Sequence, residues 1–223
     1  MGRVMEQKVA VYCLKYAQST LPERMVYADG DWEKRIPISF AIYCIRIGGR
    51  NILVDAGCDT MPGFDMEWLS SPADVLKEAG LTAKEITDVI LTHAHHDHID
   101  AVRHFENAVI HITNTEYEKG KSYIPERFSV NTFETELVIS PELRVVLWGG
   151  HASGSAIVEL KQGDTIHVFA GDECYTAANL TQGKPTGACA NPEKAEAFVQ
   201  VYSKKPYIVH TCHDISLKTE RII

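Results

Sequence analysis

The chain has no excess of positive charge: 22 Lys and Arg stand against 30 Asp and Glu in 223 residues, a net charge of −8. A nucleic-acid groove needs a clustered basic face. The longest basic cluster here is the pair Lys204–Lys205, which reads as a solvated helix end. No stretch approaches the ~18 apolar residues of a membrane-spanning helix. The opening "MGRVMEQKVAVYCLKY" is charged where a secretion signal has its apolar run. Met1-Gly2 fits the start of an acylation signal, but Glu6 stands where that signal has Ser or Thr. The cysteines Cys13, Cys44, Cys58, Cys174, Cys189 and Cys212 include no Cys-x-x-Cys pair. In a chain without a leader they read as reduced, buried small side chains. Repeats of fixed period and low-complexity segments are also missing. The expectation is a cytoplasmic protein that binds neither nucleic acid nor membrane; its oligomeric state is not legible.

What is present is core material. Hydrophobic residues make up 45% of the chain, enough to bury a sizeable interior. No shift in composition marks a linker, so residues 1–223 read as a single domain. Strand-like runs occupy 8–14, 40–47 and 51–57, with Gly48-Gly49 as a hairpin turn between the latter two. "SPADVLKEAG" (71–80) reads as a helix, with Ser71 as its cap, Pro72 in the first turn and Gly80 as its stop. Strands follow at 86–93 and 108–113, then a helix from "NTEYEKGKSY". The second half repeats the order: strands at 143–148, 154–160 and 164–170, a helix opened by Asn191-Pro192, and a last strand "PYIVH". Strands followed by helices in both halves imply two packed sheets with helices outside, an α/β fold.

The densest feature is "LTHAHHDHID", with four histidines between His93 and His98. His93 and His95 lie two apart near a strand end, so an extended backbone directs both to one side and His96 to the other. Asp97 and His98 follow where the chain turns toward a short helix. Shuffling the composition gives this pattern roughly 0.001 times by chance. Neutral imidazole with carboxylate suits zinc or another borderline divalent metal, and four such ligands in one loop point to two ions. Further donors each follow a strand: His151 in "WGGHASGS", Asp172 in "FAGDECY", and His210 and His213 in "IVHTCHD". His104, His111 and His167 read as structural or exposed, and Cys174 and Cys212 as small buried side chains flanking the donors. Phe64 and Trp68 are candidates for a pocket wall or for core packing.

In this order, "LVDAG" with Asp55, "THAHHDH", "GGHASGS", "GD" and "CHD" resemble the metallo-β-lactamase superfamily from about residue 40 onward. The resemblance implies a four-layer αββα sandwich with a dinuclear metal site at the sheet edge. Carried over residue by residue, His93, His95 and His151 would bind one ion; Asp97, His98 and His213 would bind the other, and Asp172 would bridge them. Asp55 would support the ligands from behind. "DECYT" is similar to the N-acyl homoserine lactonase branch, in which a tyrosine at the place of Tyr175 donates to substrate oxygens. The implied activity is metal-dependent hydrolysis of a small-molecule ester or lactone. Its nucleophile is a hydroxide bridging the ions, and Asp172 would shuttle a proton to the leaving alkoxide. The donors name zinc first, while manganese, iron and cobalt fit the same set.

Two features depart from the pattern: Asp100 follows "DHI" where a small residue is usual, and segment 58–70 is shorter than in those lactonases. Alternatives are a thioester hydrolase of the hydroxyacylglutathione hydrolase type and a mononuclear iron persulfide dioxygenase. A phosphodiesterase or nuclease conflicts with the acidic balance, and a metal-binding protein without turnover is the non-catalytic alternative.

Overall fold

The computed structural model describes residues 9–223. The possible signals in the first eight residues, and the expected start of the first strand at Lys8, lie outside the described residues. Chain order begins β1 (Ala10–Pro22), α1 (Glu23–Val26), β2 (Arg35–Ile47), β3 (Arg50–Val54), β4 (Glu67–Trp68) and β5 (Asp88–Ile90). It continues α2 (His96–Ile99), β6 (Val109–Thr113), α3 (Asn114–Gly120), β7 (Ser129–Phe133), β8 (Glu136–Val138) and β9 (Leu143–Leu147). The rest is β10 (Ala156–Gln162), β11 (Thr165–Phe169), α4 (Ala177–Thr181), α5 (Pro192–Tyr202), β12 (Tyr207–His210) and β13 (Glu220–Arg221).

Two sheets form. The larger runs β13-β1-β2-β3-β5-β6-β7 with β4 added beside β1, and the smaller runs β12-β11-β10-β9-β8. β3, β5, β6 and β7 are mutually parallel, as are β11 and β12, so their C-terminal ends collect at common edges. Gly48 and Gly49 take φ of 58° and 80°, which the tight β2–β3 hairpin requires at both central positions.

Side-chain alternation separates the layers. On β2, Ile38, Phe40, Ile42 and Cys44 join the apolar layer under the outer turns, while Ala41, Tyr43, Ile45 and Ile47 face the other sheet. Val145, Val158, Leu160 and Phe169 of the smaller sheet complete that inter-sheet layer. On the far side Ile157 and Val168 pack against Phe198 and Tyr202 of α5. Three apolar layers between four tiers of structure make the αββα sandwich. Among the described residues, no helix is long and apolar enough to cross a membrane.

Several elements differ from expectation. The predicted helix at 71–80 is a turn followed by one 3-10 segment, Val75–Ala79, closed by Gly80 at φ 69°. Ser71 Oγ still accepts from the Asp74 amide at 3.1 Å, but three buried apolar contacts need no longer helix, and short segments gain little from α propagation. β1 and β2 run well past their predicted ends, because Leu21 pairs with Ile36 and Pro22 with Arg35 despite polar residues and prolines. β7 and β8 lacked a hydrophobic signal, since most of their side chains face solvent. The α5 reading holds in detail: the Asn191 side chain accepts from the Lys194 amide, and Pro192 opens the helix.

Candidate metal centre

The loop after β5 carries His93 to His98, and a neighbouring strand end holds it in place. Asp55, just past β3, sits at φ 63°, a strained conformation for a residue with a Cβ. Its carboxylate accepts from the Thr92 amide (2.7 Å), from Thr92 Oγ1 (3.0 Å) and from His98 Nδ1 (2.8 Å). These three bonds tie the strained turn to the histidine loop. From the other sheet, Gly171 (φ 51°) closes on the same threonine: a Cβ there would lie 2.7 Å from Thr92 Oγ1. Only glycine lets that strand end approach, and the approach delivers Asp172.

His151 is positioned by Glu173, a residue that sequence reasoning missed. The buried Glu173 carboxylate accepts from the Gly150 amide (3.1 Å), the His151 amide (3.0 Å) and Ser155 Oγ. A Cβ on Gly150 would fall 2.3 Å from Glu173 Oε2, so the second glycine of "WGGH" makes room for this clamp. Burial pushes the Glu173 carboxyl up to about 7. The only trace in the sequence was its place beside Asp172.

The histidine tautomers follow from the partners of each ring. Nδ1 donates to Thr92 Oγ1 in His93, to Asp55 in His98, to the Ala188 carbonyl in His151 and to the Ser39 carbonyl in His213. In each ring Nε2 is therefore the nitrogen presented inward. His95 presents Nδ1 instead, 3.0 Å from His93 Nε2 and 2.9 Å from His151 Nε2. One proton cannot satisfy three such nitrogens. His98 Nε2 is buried without a hydrogen-bond partner.

Asp172 lies between two donor groups. Its Oδ2 is 3.7 Å from His93 Nε2 and 3.4 Å from His151 Nε2, while Oδ1 is 3.1 Å from His98 Nε2 and 3.0 Å from His213 Nε2. The groups that could hold an ion are thus His93, His95, His151 and Asp172, and His98, Asp172, Cys212 and His213. Asp97 reaches the second from the pocket side, its Oδ2 3.6 Å from both His98 Nε2 and His213 Nε2.

Electrostatics agree with a cation here. Burial, reinforced by neighbouring imidazoles, holds His93 and His95 below the usual histidine range, leaving lone pairs free. Burial also opposes charge on His98, yet Asp172, Asp55 and Asp97 raise it well above that range. His213 is raised in the same way by Cys212 and Asp172. Despite burial, His98, His213 and His151 hold the Asp172 carboxyl well below the ordinary range. Inward lone pairs beside a buried carboxylate and imidazoles driven toward positive charge fit divalent metal ions.

The site floors a cavity of about 270 Å³ lined by Leu21, Met25, Ile38, Phe40, Met61 and Phe64. Tyr175 is buried in its wall, its ring stacked on His213 at 5.0 Å. Burial, then the Asp172 and Asp97 carboxylates, hold its phenol protonated well above the usual range. Phe64 lines the cavity, whereas Trp68 stacks on Tyr16 and is partly exposed.

Other residues do not join the donor groups, although His96 lines the cavity. His96 donates from Nε2 to the Thr60 carbonyl (2.8 Å), and Tyr123 Oη donates to its Nδ1 (3.1 Å). Asp100, the departure from the pattern, accepts from the Asp59 amide at 2.9 Å and so anchors the short segment behind the cavity. His210 does not join the site. It stacks between Phe169 and His167, with Nε2 3.0 Å from His167 Nδ1, because the chain leaves β12 only after it. His104 pairs with Asp59 and His111 with Asp88. Cys174 packs beneath α5 and donates to the Thr176 carbonyl.

Residues 41–194 match the family model described as the metallo-beta-lactamase superfamily. The chain belongs to this superfamily. Among solved structures of the same fold is an N-acyl homoserine lactone hydrolase with N-hexanoyl-L-homoserine at its catalytic metal center: 20% identity, 96% of this chain and 98% of that one, TM-score 0.79. A mutant of AiiA from B. thuringiensis with N-decanoyl-L-homoserine bound matches with the same identity, coverage and TM-score. AidC, a dizinc quorum-quenching lactonase, matches at 16% identity over 94% of this chain and 88% of that one, with a TM-score of 0.72. No curated protein matches the chain. For this superfamily member, these likenesses speak to the fold.

Proposed function

We propose that this chain is a dinuclear metal-dependent hydrolase that opens ester bonds, with lactones as its substrate class. The observation that carries the reading is the convergence of five imidazoles on the two oxygens of Asp172 at the floor of a largely apolar cavity. His93, His95 and His151 would hold one ion with Asp172 Oδ2, and His98, His213 and Asp97 the other with Asp172 Oδ1. When bound, such a pair, zinc in the first instance, supplies an activated water and positive charge for the carbonyl oxygen.

The protein's own groups do the rest. Asp55, Thr92 and the Ser39 and Ala188 carbonyls fix the rings in the ligating tautomer. Tyr175 Oη, kept protonated, donates to the substrate oxygen as its charge develops. The Asp172 carboxylate takes up the proton given up by the attacking water and passes it to the leaving alkoxide. Met61, Phe64, Met25 and Leu21 exclude water and seat an apolar substituent.

A turnover panel of lactones, thioesters and phosphodiesters with the metal-reconstituted chain, alongside elemental analysis, tests this. Expected are lactone or ester turnover with two ions per chain, and loss of both activity and bound metal in His98→Ala and Asp172→Ala. Full turnover in either variant, or one iron per chain with oxygen consumption, would overturn it.

A further inference from the structure

We propose that Cys212 is a thiolate ligand of the second metal position, making that position a sulfur-bearing one. The inference rests on the metal-centre reading above and adds a donor to it. Cys212 is buried at 4% exposure, with Sγ 3.5 Å from Asp172 Oδ1 and 3.5 Å from the Gly171 carbonyl. Its sulfur and the donor atoms of His98, Asp172 and His213 all lie within 4.8 Å of one another. With Cys212 joining His98, His213, Asp97 and Asp172 the ion is five-coordinate, and sulfur at about 2.3 Å with oxygen at about 2.1 Å then gives sulfur–oxygen edges of about 3.1–3.8 Å. The observed separation matches a shared coordination shell.

The backbone explains how neighbours in sequence serve one position. After β12 the segment pairs back onto β2: the Ala41 amide donates to the Cys212 carbonyl and the Ser39 amide to the His213 carbonyl, both at 3.1 Å. Tyr43 Oη donates to the Thr211 carbonyl. The chain is bent there rather than extended, so Cys212 and His213 are not sent to opposite faces. Asp97 lines the cavity and Cys212 does not: the carboxylate approaches from the substrate side and the thiol from the interior. No other cysteine belongs to either donor group among the described residues.

Binding forms a metal–sulfur bond and releases the thiol proton to solvent. A thiolate biases the position toward zinc and cobalt over manganese or magnesium. Titrating the metal-free full chain with Co²⁺ tests the assignment. Wild type should develop a near-ultraviolet sulfur-to-cobalt charge-transfer band that saturates with one of two equivalents. Cys212→Ser, its fold checked by circular dichroism, should lack the band, keep visible absorption from the remaining cobalt, and bind the second ion at least ~10-fold more weakly. X-ray absorption at the zinc edge of the wild type, which needs no variant, should show one sulfur scatterer. Only nitrogen and oxygen scatterers, or a band that survives Cys212→Ser, would overturn sulfur ligation and leave the two-ion site standing. Failure of wild type to take up either metal would overturn the metal centre itself, and the sulfur ligand with it.

Discussion

Tyr175 differs from phenylalanine by one oxygen, and that oxygen is its whole claim to chemistry. The ring already has a packing role, stacked on His213 and buried in the cavity wall. Tyr175→Phe keeps the ring and removes only the donor. A fall in kcat of about 100-fold, the size typical of a lost oxyanion donor, is expected with KM and metal content little changed. Unaltered turnover would make Tyr175 a packing residue. It was singled out because "DECYT" resembles the lactonase branch, not by any pattern of its own. Glu173 was not, although its clamp on His151 is as tightly built. A buried carboxylate that accepts backbone amides leaves no spacing pattern, because its partners are amides that every residue has. Cys212 was legible as a buried side chain only; its closeness to Asp172 is a product of the bend after β12.

β5 is three residues long, yet it carries the histidine loop, and its anchor lies at its opposite end. Asp88 accepts from Arg50 Nε (2.9 Å), His111 Nε2 (2.8 Å) and Thr87 Oγ1 (2.7 Å). Burial works against its charge, but these partners outweigh it and hold the carboxyl well below the usual range. The unfolded chain binds a proton at this group near pH 4, while the folded chain does not until the pH is far lower. Its contribution is therefore complete above about pH 4 and lost as the pH falls below that. Asp88→Asn should lower Tm at pH 7 on the order of 5 °C, and the gap to wild type should narrow in acid. A gap that widens in acid would contradict this. At this scale, strands with buried faces and the α5 caps could be read from periodicity. β7 and β8 could not, since pairing rather than burial defines them, and neither could the 3-10 turn at Val75–Ala79.

Across the whole molecule the site is a joint between the two sheets. Residues 93–98 come from the larger one; His151, Asp172 and His213 extend from strands of the smaller. The order of elements implied two sheets with outer helices, and the place of each donor just after a strand implied one shared edge, where family resemblance put the metal site. Periodicity alone gave no such edge, because it says which side of a strand is buried and not which end is shared. Ions held there as proposed would favour the folded chain over the unfolded one. At free ion concentrations 100 to 1,000 times Kd they would stabilise by up to ~3–4 kcal/mol, which for this length is on the order of 10 °C in Tm. Chelation should lower the thermal midpoint by that amount, and added zinc should restore it. A midpoint indifferent to chelator would mean that ions contribute nothing to holding the sheets together.

Asp172 gives one oxygen to each donor group, and this has a thermodynamic consequence. Two ions sharing a carboxylate cannot load independently: the first orients the bridge and adds its own positive charge next door. Whatever factor the first ion imposes on the affinity of the second, the second imposes on the first. Under the proposed two-ion reading, occupancy at one position would report on the other, and the pair would load as a linked equilibrium.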